Sequence, residues 1–339
     1  MIGNGKNKGK MRSNRCVILC LSVLLFGCVC VTGALGMGQE EDETLINTER
    51  RLPMLNGHRF VLSSLIMDPF VSTFVTTGTG FGVAPGIELP IYDFDGEPIA
   101  TIKGDLAYMR LGMSYRAALN DWLGLWIDVN GMARMGINAE SIFSQGITGV
   151  FGLELGGMGR IWHNERFMLS GSAAYKRGKY LGVDILTFVQ RVILEGGIAP
   201  DNKITKRIAT DRYNAGLHFA TAFSPCFGIL ATAELGTTDS IFNKDKNDTV
   251  LTLGGLVSWD LNPRLGVPLG FNLGFNYTSY PESADDLIQD IREIPFKIAY
   301  TGRREFSIAL EGSYLRAPLR SDDGILAAWT GLISLKYYF

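Results

Sequence analysis

The sequence predicts an all-β fold: a closed antiparallel barrel of twelve membrane-spanning strands, with ten or fourteen as the alternative counts. Three observations carry this expectation. From about residue 70 onward, apolar and polar residues alternate with a period of two, and the side chains of a strand alternate between its faces. The alternating segments run to about 10–14 residues, longer than the ~5–6 usual in soluble proteins and long enough for the roughly 9–11 that a tilted spanning strand needs. Short and long connections take turns strictly along the chain.

The first 36 residues are read as a signal peptide. Lys6, Lys8, Lys10, Arg12 and Arg15 form a basic stretch, Cys16 to Val31 is apolar, and Ala34-Leu35-Gly36 offers small residues for cleavage. An uncleaved anchor helix and a lipoprotein acylated on Cys28 are the competing readings. Without the leader the chain has 27 basic and 34 acidic residues, and Cys226 is its last cysteine. An exported chain with one cysteine does not rely on disulfides. Over the whole chain, 32 basic and 34 acidic residues are near balance, which argues against nucleic-acid binding, and a hydrophobic content of 46% argues against disorder.

Residues 37–68 are read as a periplasmic N-terminal segment or partial plug. They open on the acidic run Glu40-Glu41-Asp42-Glu43, as a solvated tail would. The stretch from Arg59 to Met67 is apolar enough to enter a lumen. Residues 69–339 are read as the transmembrane barrel, its first strand, near Phe70 to Val83, blurred by Thr and Gly.

The later strands are clearer. Leu123, Leu125, Ile127 and Val129 oppose Asp128, Asn130 and Arg134. Leu269, Phe271, Leu273 and Phe275 oppose Gly270, Asn272, Gly274 and Asn276. Ile308 and Leu310 oppose Ser307 and Glu311, and Trp329, Gly331, Ile333 and Leu335 oppose Thr330, Ser334 and Lys336, with Leu332 the exception. Gly, Asn, Ser and charges of both signs on one face suit a wet lumen, and aromatics near strand ends, such as Trp162, Phe223 and Trp259, suit interfacial girdles.

Tight-turn signals stand at Asn120-Asp121, Asn164-Glu165, Ser224-Pro225, Asn262-Pro263 and Gly302-Arg303. Between them lie longer connections, roughly 84–105, 136–146, 178–211, 237–248, 280–293 and 317–325. This arithmetic joins an even number of strands and places both barrel ends on the short-turn side. Within the longest connection, Asp184 to Leu194 has helical spacing and Gly196-Gly197 would stop the helix. Ile185, Phe188, Val189 and Val192 on that helix are candidate gate residues, because an apolar face must bury somewhere: on the rim, or folded into the mouth. Asp285 to Ile291 is a second, shorter helical candidate.

The leader, the alternating strands and the terminal Tyr337-Tyr338-Phe339 resemble the Gram-negative outer-membrane β-barrel class. The resemblance covers about residues 70–339 and points to no family within the class. It implies outer-membrane lipid around the barrel. It also implies that Tyr337 and Phe339 belong to an assembly signal read by the barrel-assembly machinery.

Candidate lumen-lining residues are Arg110, Arg116, Asp128, Asn130, Arg134, Glu154, Arg160, Lys176, His218, Glu234, Asn272, Asn276, Lys297, Glu311 and Lys336. They form either a paired, stiffening network or a polar path for solutes, and their mixed signs argue against strong ion selectivity. A Ser–His pair of the kind a hydrolase needs is missing locally, since Ala220 stands two residues after His218. Spacing suggests no metal site and nothing implies a cofactor. The expected function is passive passage or binding of small solutes, hydrophobic ones among them. A non-transporting structural or surface barrel is the alternative, and an outer-membrane hydrolase comes third.

Overall fold

A computed structural model describes residues 52–92, 98–136, 147–183, 205–239, 247–279, 290–318 and 325–339. The leader and the helix expected at 184–194, with its gate residues Ile185, Phe188, Val189 and Val192, lie outside the described residues; of the helical candidate at 285–291, residues 285–289 lie outside them too, while Asp290 and Ile291 begin a strand.

A short hairpin comes first, β1 (Met54–Leu55) paired with β2 (His58–Arg59). Its two-residue turn, Asn56-Gly57, has positive φ at both positions (48° and 74°). That is the type I′ geometry that Asn-Gly favours. Twelve long strands follow: β3 (Phe74–Tyr92), β4 (Pro98–Ala118), β5 (Leu123–Gly136), β6 (Ile147–His163), β7 (Phe167–Val183), β8 (Thr205–Ser224), β9 (Phe227–Asp239), β10 (Asn247–Asp260), β11 (Leu269–Ser279), β12 (Asp290–Tyr300), β13 (Phe306–Pro318) and β14 (Ile325–Tyr338). Each pairs antiparallel with its sequence neighbours, and β14 closes the sheet on β3, from Tyr338 opposite Phe74 to Trp329 opposite Val83. Closure leaves no unpaired sheet edge, which an apolar bilayer requires.

One expectation is corrected in detail. The first barrel strand begins at Phe74 and continues to Tyr92, so the β3–β4 hairpin extends through most of the connection expected at 84–105. A bulge between Ala84 and Ile87 bends it; there Gly86 takes φ 66° and its N–H donates to Asp105 Oδ1 at 2.8 Å. The helix among the described residues is a single turn, α1 (Asn262–Leu265), placed in the β10–β11 connection. Pro263 in its first turn and Gly266, left-handed at its end, delimit it.

The outer face follows the alternation. Leu273, Phe275, Ile308, Leu310, Ile333 and Leu335 are all exposed. A continuous apolar exterior of this extent needs a nonaqueous surround. Aromatic rings cluster at the short-turn end, where Phe223 stacks on Phe227, Phe227 packs tilted against Trp259, and Tyr337 meets Phe339. A second aromatic group lies higher, where Tyr314 packs on Trp329. Eight residues separate Trp329 from Tyr337 on β14. That is about 27 Å along the strand at ~3.4 Å per residue, or roughly 20 Å across the membrane at a tilt of ~40°, close to the ~25 Å apolar band of such barrels. This is the architecture of an outer-membrane β-barrel.

Candidate functional site

The interior is divided. Residues 52–73 run inside the barrel at the short-turn end, rise toward mid-height and return to the rim where β3 begins. Leu55, Phe60, Leu62, Ile66 and Phe70 form one buried cluster with Met168, Ala220, Ala222, Leu230 and Leu256 of the wall. Wall glycines make room. A methyl group on Gly228 would sit 2.7 Å from both His58 and Phe60, and one on Gly270 would sit 2.4 Å from Val61.

Polar groups fix the segment's register. The Asn272 amide donates to the Val61 carbonyl at 2.8 Å, and the Val61 N–H donates to Ser258 Oγ at 2.9 Å. His58 Nδ1 lies 3.2 Å from the Pro225 carbonyl and Nε2 lies 3.1 Å from Ser258 Oγ. A carbonyl only accepts, so Nδ1 carries the proton and Ser258 donates its hydroxyl to Nε2. Burial lowers the His58 pKa to about 4, against a smaller opposing effect of the Pro225 hydrogen bond. The Arg59 guanidinium donates to the Thr301 carbonyl at 2.8 Å and also to the Arg303 carbonyl, in the β12–β13 turn.

Higher up, Glu311 on β13 is the central acceptor. Its Oε1 takes the Ser63 hydroxyl at 2.6 Å and the Ser64 N–H at 2.8 Å, and its Oε2 pairs with Lys297 at 3.3 Å. On the return leg Asp68 pairs with Arg116 at 2.9 Å, and Ser170 Oγ donates to the Pro69 carbonyl at 2.6 Å.

The segment packs against β7–β13 and leaves a cavity of about 410 Å³ between itself and a wall formed mainly by β3–β6 and β14, with Lys176, Glu234 and Lys297 reaching in from β7, β9 and β12. Of the sequence-derived lumen candidates, Arg110, Arg116, Asp128, Asn130, Glu154, Lys176, Glu234, Lys297 and Lys336 line it. Glu154 pairs with Lys176 at 3.0 Å and accepts from the Trp126 indole at 3.3 Å. Leu332, the exception to the β14 pattern, also faces this cavity.

The other candidates lie elsewhere. Glu311 and Asn272 serve the docked segment. Asn276 belongs to the inward face of β11, where its Oδ1 is buried without a partner among the described residues. Arg134 is partly buried on β5. Arg160 sits at the rim, donating to the Asp121 carbonyl. His218 is fully buried between Ser172 Oγ and Thr232 Oγ1, each at 2.7 Å.

Ser172 reaches the imidazole from β7, a neighbour that the sequence of His218's own strand does not reveal. The distance suits a nucleophile and base. However, the third group is a neutral hydroxyl, and neither Ser172 nor His218 lines the cavity. The cluster works as a cross-strand bracket. Among the described residues no three His, Cys, Asp or Glu side chains converge to hold a metal ion.

No protein-family model matches the chain, and no curated protein matches it in sequence. Solved structures similar to it include a Pseudomonas aeruginosa FadL homologue, 12% identical over 80% of this chain and 93% of that one, with a TM-score of 0.45. The translocator domain of the autotransporter NalP from Neisseria meningitidis is 8% identical over 79% of this chain and 88% of its own, with a TM-score of 0.46. The NanC porin is 8% identical over 79% and 100%, with a TM-score of 0.44.

Proposed function

We propose that the chain binds and passes small solutes across the outer membrane, hydrophobic ones among them, with residues 52–73 obstructing the periplasmic half of its lumen. The short turns and both barrel ends are then periplasmic and the long connections extracellular, as in barrels of this class. The observation that carries this reading is the cavity of about 410 Å³ inside the barrel, lined by charged and amide side chains and walled on one side by a segment that is not part of the sheet. A space of that volume suits a small molecule. A polar lining offers a dissolved solute replacement hydrogen bonds.

One observation favours a second reading, a non-transporting structural barrel. The segment and the pairs Arg116–Asp68, Lys297–Glu311 and Lys176–Glu154 occupy much of the interior. Liposome swelling separates the two. The full chain should give slow entry of small solutes, and deletion of residues 52–66 should raise the rate at least several-fold while the barrel keeps its heat-modifiable migration. Swelling at the protein-free rate for both forms would leave the structural reading standing.

A further inference from the structure

We infer that the cavity beside the inward segment is a binding site for a small organic anion, with Lys336 as its charge anchor. The inference rests on the solute-binding reading and adds the class of solute. Charged groups around Lys336 are Asp68, Glu311, Arg116 and Lys297. Those four are already matched, Asp68 with Arg116 at 2.9 Å and Glu311 with Lys297 at 3.3 Å. Lys336 is the odd cation. Among the described residues it makes no ion pair, and its ammonium rests on aromatic faces, 4.0 Å from the Phe74 ring centre and 5.7 Å from that of Tyr338. The Arg116 guanidinium lies 5.1 Å from the centre of the same Phe74 ring. Two cations therefore share one ring, and Asp68 pairs with Arg116 of the two.

Aromatic faces hold a cation without neutralising it. A positive charge inside a barrel wrapped in lipid is costly while it lacks a counter-charge. A mobile anion entering the cavity supplies that charge at Lys336. The remaining lining selects the body of the anion. Leu62, Ile66, Met67, Phe74 and Leu332 present apolar surface beside the cation. An inorganic anion would gain nothing from that surface, whereas a carboxylate on a compact apolar body matches both ends. Asp68 is the competitor already built into the segment, because its carboxylate takes the nearer guanidinium.

Binding by the full chain, folded in detergent, tests this with three probes: benzoate, its neutral isostere benzamide, and inorganic phosphate, each followed by titration calorimetry. Benzoate should bind, with benzamide and phosphate weaker by about tenfold or more, as expected when a buried charge is left unmatched. Lys336→Met should weaken benzoate by about the same factor and leave benzamide unchanged, while Lys336→Arg should retain benzoate. Asp68→Asn should tighten benzoate, because it frees Arg116; this arm does not depend on the folding of the Lys336→Met protein. Equal binding of benzoate and benzamide, indifference of benzoate to Lys336→Met, or no binding at all would overturn the site. Phosphate binding as tightly as benzoate would overturn its organic class. Calorimetry reads binding and swelling reads passage. Lys336-dependent benzoate binding without swelling would remove the passage reading and keep the site, and swelling without charge preference would do the reverse.

Discussion

The two sides of the lumen are built from the same alternating strands and are used differently. On the β7–β13 side, the inward positions pressed by apolar residues of the segment include the small or apolar Gly228, Leu230, Leu256 and Gly270, with Ser258, Asn272 and Glu311 supplying its polar contacts. A segment of the same chain is pressed into them. On the side of β3–β6 and β14, inward positions carry Arg110, Arg116, Asp128, Glu154 and Lys336, and there the space stays open. A wall that meets protein is shaped by packing, where each large apolar side chain buried contributes about 1.5–3 kcal/mol. A wall that meets water or solute keeps its charges. Glu311 stands at the boundary, pairing with Lys297 in the wall and accepting from Ser63 and Ser64 of the segment.

The largest expected effect follows from that position. Glu311→Ala leaves the Lys297 ammonium buried without its partner and removes the two acceptor contacts of the segment. Breaking a buried pair on one side costs about 3–5 kcal/mol. The variant should convert from the folded to the unfolded electrophoretic form at a clearly lower temperature, and residues 52–66 should become open to protease. Glu154→Ala, whose Lys176 partner is more exposed, should lower that temperature much less. Equal shifts would erase the distinction between the two sides.

The division was only half legible in the sequence. Leu310 and Glu311 are adjacent and face lipid and lumen respectively, and a period of two separates them without any structure. The same logic places the charged residues around the cavity. It could not show which inward positions meet protein, because that depends on residues far apart in sequence. Leu230 and Leu256 interrupt the polar faces of β9 and β10 as Leu332 interrupts that of β14, yet the first two meet the segment and the third meets the cavity. Ser172 and His218 are joined across neighbouring strands, which a reading along one strand does not see. A local signal for ordered structure ahead of the barrel is Asn56-Gly57, the dipeptide of a two-residue hairpin.

Glycines on the two sides sharpen the comparison at intermediate magnitude. A methyl group added at Gly270 would meet Val61 Cγ2 at 2.4 Å, whereas one added at Gly112, which faces the cavity, would meet nothing within 4 Å. Overpacking a filled site typically costs about 1–3 kcal/mol. Gly270→Ala should therefore loosen the segment, seen as faster hydrogen exchange of the Val61 amide, which is bonded to Ser258. Gly112→Ala should leave that exchange unchanged. Faster exchange in both variants would mean that the segment does not distinguish the walls.

The smallest effect is a pH dependence confined to the packed side. His58 is docked neutral: burial holds its pKa at about 4 against an ordinary 6.5. A released segment would have the ordinary value, so between these limits the released form binds more protons than the docked one. Docking is then at full strength above about pH 6.5, weakens progressively as the pH falls toward 4, and changes no further below that. At pH 5.5, one unit below the ordinary value, the loss is about 1.4 kcal/mol, or tenfold in the docking equilibrium. Exchange protection of residues 58–62, corrected for the intrinsic pH dependence of exchange, should fall by about that factor from pH 7.5 to 5.5. His58→Gln, which cannot gain a proton, should show no such fall although its docking is weaker throughout. The same fall in the His58→Gln protein would place the sensitivity in another group and leave the imidazole a purely structural ligand of Ser258 and Pro225.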